Sequence, residues 1–174
     1  MTAISQQVLV EAVRCVERMS LKERERLADE IYLRQPHLLA SVLVLHQFGI
    51  ALAQMEVVIN LLLVCHEAMK RSGQVWPLIT EDDQDLCMTR LLARMQFTEG
   101  LTEQQQAQVT ADAVADHPEQ QLQAYAYGTL QDKGWIRIES EAHKMLVLCA
   151  LNLVECVAYA VPERAFTSAT PMNA

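Results

Sequence analysis

Five cysteines and five histidines are the residues best suited to chemistry in this 174-residue chain, and their spacing decides what they can do. Cys15, Cys65, Cys87, Cys149 and Cys156 are odd in number and none belongs to a Cys-x-x-Cys pair, so neither a zinc knuckle nor a dithiol redox loop is spelled out. Each lies in an apolar stretch of helical period, where a free thiol packs as a small hydrophobe. His37, His46, His66, His117 and His143 are equally scattered. A metal centre in a helical bundle draws on Glu-x-x-His pairs, and the chain contains none. His66 and Glu67 are neighbours and so point apart around a helix. Glu139 and His143 share a face only if their helix begins early enough, and the negative end of a helix dipole accounts for His46. The order of residues argues for no Ser-His-Asp or Cys-His arrangement, and no phosphate-cradling glycine loop occurs. No catalytic residue, cofactor or metal ligand is assigned.

Three further patterns bear on partners. The run Glu81-Asp82-Asp83-Gln84-Asp85 could face a basic partner, but it equally suits the first turn of a helix capped by Thr80. Leu45, Gly49, Ile50, Met55 and Val58 have the skeleton of a helix-turn-helix, echoed at Leu130, Gly134 and Trp135. The first would-be reading helix offers Leu52, Ala53, Gln54, Glu56 and Val57, with no cation for a phosphate or guanine. The second offers Arg137 and Lys144 amid Glu139 and Glu141. Met55, Met69, Met88, Met95 and Met145 fall at core-like spacings and read as packing.

The elements that must position these residues are helices. Hydrophobic residues make up 51% of the chain and aromatics 5%, which excludes disorder for most of it and a β-sandwich or barrel. Four of the five glycines and the prolines fall between apolar-periodic segments; Gly128 is the exception. Helices are expected over Ile4 to Met19, from Ser20 (a capping box with Glu23) to Arg34, over His37 to Phe48, and over Leu52 to Ser72. Four more follow: from Thr80 to before Gly100, from Thr102, from Pro118 to before Gly134, and over Ser140 to Ala160. Val8, Leu9, Ala12, Val13 and Val16 form the inward stripe of the first; Leu27, Ala28, Ile31 and Tyr32 that of the second. Leu86, Cys87 or Met88, Leu91, Leu92 and Met95 are expected inward on the fifth, and Leu122, Tyr125 and Ala126 on the seventh. The fold class is thus all-α, a compact bundle of about eight helices in one domain over residues 1–162, with 163–174 as a disordered tail.

The same order of parts occurs twice, which suggests half-repeats over 1–73 and 80–162 sharing one core. Met19 matches Met95, Leu21 matches Leu101, Ala28 matches Ala111, Pro36 matches Pro118, Gly49 matches Gly134, and Leu63-Val64-Cys65 matches Val147-Leu148-Cys149. The offsets run 76, 80, 83, 82, 85 and 84. The surfaces differ: residues 1–73 carry eight Lys/Arg and eight Asp/Glu, so the whole net charge of −8 lies in 74–174. That acidity weighs against nucleic acid as the default partner and serves solubility.

No Asp, Glu, Lys or Arg lies between Arg34 and Glu56, and Met145 to Val161 is nearly as apolar. Pro36, Gly49 and polar residues break the first stretch, and Asn152 and Glu155 interrupt the second, so buried core helices are expected rather than membrane spans. Met1 to Glu17 is an amphipathic helix bearing Glu11 and Arg14, unlike a secretory leader, and the free thiols suit a reducing cytoplasm. The leading expectation is a cytoplasmic, non-catalytic, acidic interaction or regulatory module that forms a homodimer or binds a protein partner through its apolar helices. The alternative is a ligand- or metal-binding bundle with a pocket of His, Cys and Met. The third is a nucleic-acid-linked regulator using the Gly49 turn.

Overall fold

Ser5, Ser20, Thr80, Thr102 and Ser140 each accept, through the side-chain oxygen, the backbone N–H three residues on, and each starts a helix. Three are full capping boxes, in which Glu23, Asp83 and Gln105 reach back to the N–H of the cap. The computed structural model describes residues 3–160. Over them run α1 Gln6–Arg18, α2 Leu21–Arg34, α3 Pro36–Leu43, a 3-10 helix Val44–Phe48, α4 Leu52–Arg71, α5 Glu81–Thr98, α6 Glu103–Ala115, α7 Gln120–Asp132 and α8 Glu141–Tyr159. No strand occurs among the described residues, so the chain is an all-α bundle. The tail expected at 163–174, and the end of the domain at 162, lie outside them.

α4 and α8 pack on each other at the centre. α1 covers α4, and α5 covers α8; α3 and α7 lie against both central helices. α4 and α8 have the length and apolar character of membrane-crossing helices, but most of each is buried by its neighbours in the bundle. α5 and α8 run side by side in the same direction. The Asn152 side-chain amide donates to the Gln84 carbonyl at 3.2 Å, and almost two turns further along both helices the Arg90 guanidinium lies 5.2 Å above the Tyr159 ring.

Several expectations shift in detail. His37 to Phe48 is not one α-helix: after Leu43 it tightens into 3-10 geometry. That tightening closes the chain onto Gly49, whose φ of 77° lets Ile50 N–H reach the Leu45 carbonyl at 3.3 Å. α7 starts at Gln120 rather than at Pro118, because the side chain and backbone of Glu119 are engaged before it. The inward face of α5 is Gln84, Cys87 and Leu91, leaving Leu86 and Leu92 outside. Tyr32 is exposed as well, since Leu27 and Ile31 take the core side of α2.

The two halves place equivalent residues alike. Ile4 and Ile79, each one residue before a cap, are buried; Leu9, Ala12 and Val16 on α1 correspond to Gln84, Cys87 and Leu91 on α5. Gly49 and Gly134 share the left-handed turn, and Trp135 N–H reaches the Leu130 carbonyl as Ile50 N–H reaches Leu45. On the central helices the buried run Leu61–Met69 corresponds to Cys149–Val157, which aligns Glu67 with Glu155. This is one helical turn beyond the match Leu63-Val64-Cys65 to Val147-Leu148-Cys149, because the connector before α8 is longer than the one before α4.

Candidate functional site

The joints between the halves are reciprocal. Gln35, the residue before α3, is buried; its amide nitrogen donates to the Pro77 carbonyl at 2.8 Å and its amide oxygen accepts Ile79 N–H at 2.9 Å. Glu119, the residue before α7, is fully buried and its two carboxylate oxygens accept Ala3 N–H at 2.8 Å and Ile4 N–H at 3.0 Å. Each half thereby holds the leader segment of the other. The difference in residue type follows the backbone: the first leader offers two donors and needs a carboxylate, while the second offers a carbonyl and a donor and needs an amide.

Beside Glu119 is a buried charged cluster. His117 Nδ1 accepts Glu119 N–H at 3.1 Å, which leaves the ring proton on Nε2, facing Glu155 Oε1 at 3.5 Å. Arg94 on α5 donates to the same oxygen of Glu155. Burial pulls the Glu155 carboxyl upward, but the His117 ring and the Arg94 guanidinium more than offset it and hold the group below the ordinary carboxylate range. Cys87 and Cys156 touch across α5 and α8 nearby; that contact and burial push the Cys156 thiol up. Glu155 has no exposed surface and His117 almost none, while Arg94 reaches in from a side chain 44% exposed, so the cluster ties α5 and the approach to α7 onto α8.

The matching carboxylate on α4, Glu67, accepts from Lys70 Nζ at 2.9 Å and from Arg71 Nε at 3.2 Å. Lys70 also reaches Glu30 on α2 at 2.9 Å, and His66 Nε2 lies 3.4 Å from the same Glu30 side chain. Burial holds His66 below its ordinary range despite Glu30. Where α1, α2 and the end of α4 meet there is a concavity of about 550 Å³, open on one side, lined by Glu11, Arg14, Cys15, Arg18, Met19, Glu23 and Arg71.

The residues singled out from sequence are dispersed. His37 pairs with Glu81 at 3.4 Å, His46 sits in the 3-10 helix, and His143 stacks on Trp135 at 6.2 Å between ring centroids. Glu139 precedes the Ser140 cap, so it shares no helical face with His143. Among the described residues no three His, Cys, Asp or Glu side chains are placed to hold a metal. Cys65, Cys87, Cys149 and Cys156 are buried, and burial pushes the Cys65 and Cys149 thiols up to about 12; Cys15 is half-buried. Asp83 of the acidic run completes the Thr80 capping box, and the exposed start of α4 presents Leu52, Ala53 and Glu56 without a cation. Glu119 and Gln35 were not legible as joints, though the adjoining Pro118 and Pro36 marked the places. No family model, curated protein or solved structure matches the chain.

Proposed function

We propose that the protein is a non-catalytic helical interaction module that pairs with a second copy of itself through the corner joining α3 to α4. One observation carries this reading: Leu43, Val44, Phe48 and Leu52 all project to solvent there, Phe48 with 61% and Leu52 with 68% of its surface exposed. Apolar residues clustered on one corner mark contact surfaces more than scattered ones do. The occupant follows from charge. No Asp, Glu, Lys or Arg occurs from Gln35 to Met55, so a twofold contact, which sets this stretch against itself, meets no like-charge repulsion. The apolar sides of α4 and α8, by contrast, are taken up inside the chain and are not needed for pairing.

The test is sedimentation of the full chain across a concentration series, beside Phe48→Asp and Leu52→Lys variants whose helicity is checked by circular dichroism. The reading expects a wild-type dimer at micromolar concentration and folded monomeric variants. A wild-type chain that stays monomeric, or variants that dimerise as well as the wild type, would overturn it.

A further inference from the structure

We infer that the concavity between α1, α2 and the end of α4 binds a small soluble oxyanion of the phosphate class through Arg14, Arg18 and Arg71. The argument begins with what these guanidinium groups are not doing. Arg14 and Arg18 make no ion pair or side-chain hydrogen bond with any described residue. They stand one turn apart on α1, where like charges repel and weaken a helix, so their pairing is a cost to the fold. Of the two acids that line the concavity, Glu11 accepts from the Gln7 amide at 3.1 Å and Glu23 is held by the Ser20 backbone and hydroxyl at 2.7 Å, and neither pairs with these arginines.

Arg71 adds a third cation from a different helix, and it is anchored. Its Nε donates to the buried Glu67 carboxylate, which Lys70 also grips, and its guanidinium lies beside Cys15, so it is held at the concavity from a fixed base. Three forks round one hollow, two of them without an acceptor, fit a tetrahedral oxyanion that takes bidentate hydrogen bonds on several sides. A volume of about 550 Å³ admits a pyrophosphate or a phosphorylated small molecule. The site lies in the half of the chain without net charge, so the acidity of the other half does not exclude an anion here.

Cys15 lies in the same concavity and provides the readout. Pyrophosphate and inorganic phosphate are titrated into the full chain at constant ionic strength, with chloride as control, by calorimetry and by the rate of Cys15 alkylation. The expected result is saturable binding that slows alkylation, weakened at least tenfold in Arg14→Gln/Arg18→Gln, with helicity unchanged and melting unchanged or slightly raised. The fourfold-buried set Cys65, Cys87, Cys149 and Cys156 stays unlabelled and so reports that the fold is intact. No protection of Cys15 by either anion, or protection undiminished in the double variant, would overturn the inference. So would capture by phosphatidic acid vesicles without any binding of soluble pyrophosphate, which would make the arginines a membrane contact instead.

Discussion

Exchanging the two joint residues puts the account of the fold at risk. In Glu119→Gln, one of the two oxygens facing Ala3 N–H and Ile4 N–H becomes an NH₂ group, so a donor meets a donor at about 3 Å. One charge-assisted hydrogen bond is lost, about 1.5–3 kcal/mol. The chain can escape the clash only by releasing its leader, which exposes the buried Ile4 at a similar cost of about 1.5–3 kcal/mol. Relief from burying a charge keeps the net near 2 kcal/mol by the same bookkeeping. In Gln35→Glu the fault is inverted: a carboxylate oxygen replaces the donor to the Pro77 carbonyl, and two acceptors meet at 2.8 Å. The loss is again about 2 kcal/mol. With a urea dependence of about 1–3 kcal/mol per molar, each swap should lower the unfolding midpoint by about 1 M while leaving its slope unchanged. Urea titrations followed by circular dichroism measure this directly. If either swap proves neutral, the assignment of donor and acceptor at that joint is wrong, and with it the claim that each half holds the leader of the other.

Three further outcomes follow from particular residues. Gly128 sits inside α7 with open space where a Cβ would go, so Gly128→Ala should stabilise the protein by about 0.8–1 kcal/mol in thermal unfolding; a loss would mean an unseen close approach. Because the folded pKa of Glu155 is depressed, its contribution is present above the ordinary carboxylate value of about 4.3 and disappears as pH falls through the folded value. Denaturation between pH 3 and 7 should therefore show an acid limb that flattens in Glu155→Gln, and an unaltered limb would sink the assignment. Native protein should show one readily labelled thiol, abolished by Cys15→Ser, with the other four reacting only on unfolding; rapid labelling of a second would contradict the packing of α5, α4 or α8.

Much of this fold was legible because the signals were local. A hydroxyl followed three residues on by Glu, Asp or Gln satisfies helix N–H groups without help from the rest of the chain, and so Ser20, Thr80 and Thr102 read correctly. Gly49 and Gly134 were legible for the same reason. What failed was phase and partnership. Leu86 and Leu92 are as apolar as Leu91, and only the approach of α8, with Asn152 bonded to the Gln84 backbone, decides which side of α5 turns inward. Gln35 and Glu119 bind atoms 42 to 116 residues away, a relation that one sequence does not display. The concavity is equally non-local, since Arg71 meets Arg14 and Arg18 only after α4 has packed on α1.

The apolar surplus of α4 and α8 can be explained without a bilayer or a partner. Two half-bundles that each own one long apolar helix can hide those helices only against each other, and the observed central pairing does so. The arrangement has a consequence for polar residues on the same helices. A carboxylate in such a position must bring its own cation, because water is excluded once the halves close. Glu67 recruits Lys70 and Arg71 from its own helix, whereas Glu155 recruits Arg94 from α5 and faces His117 from the loop before α7. The first arrangement leaves the position of α1 on α4 free of that charge; the second ties α5 and the α7 approach to α8. The halves thus share a plan of burial but differ in which helices their ion pairs join: Lys70 also ties α4 to Glu30 on α2, whereas Glu155 ties α8 to α5. In the first half Arg14 and Arg18 line the concavity without an ion pair to any described residue, and this is where we infer that an external anion binds.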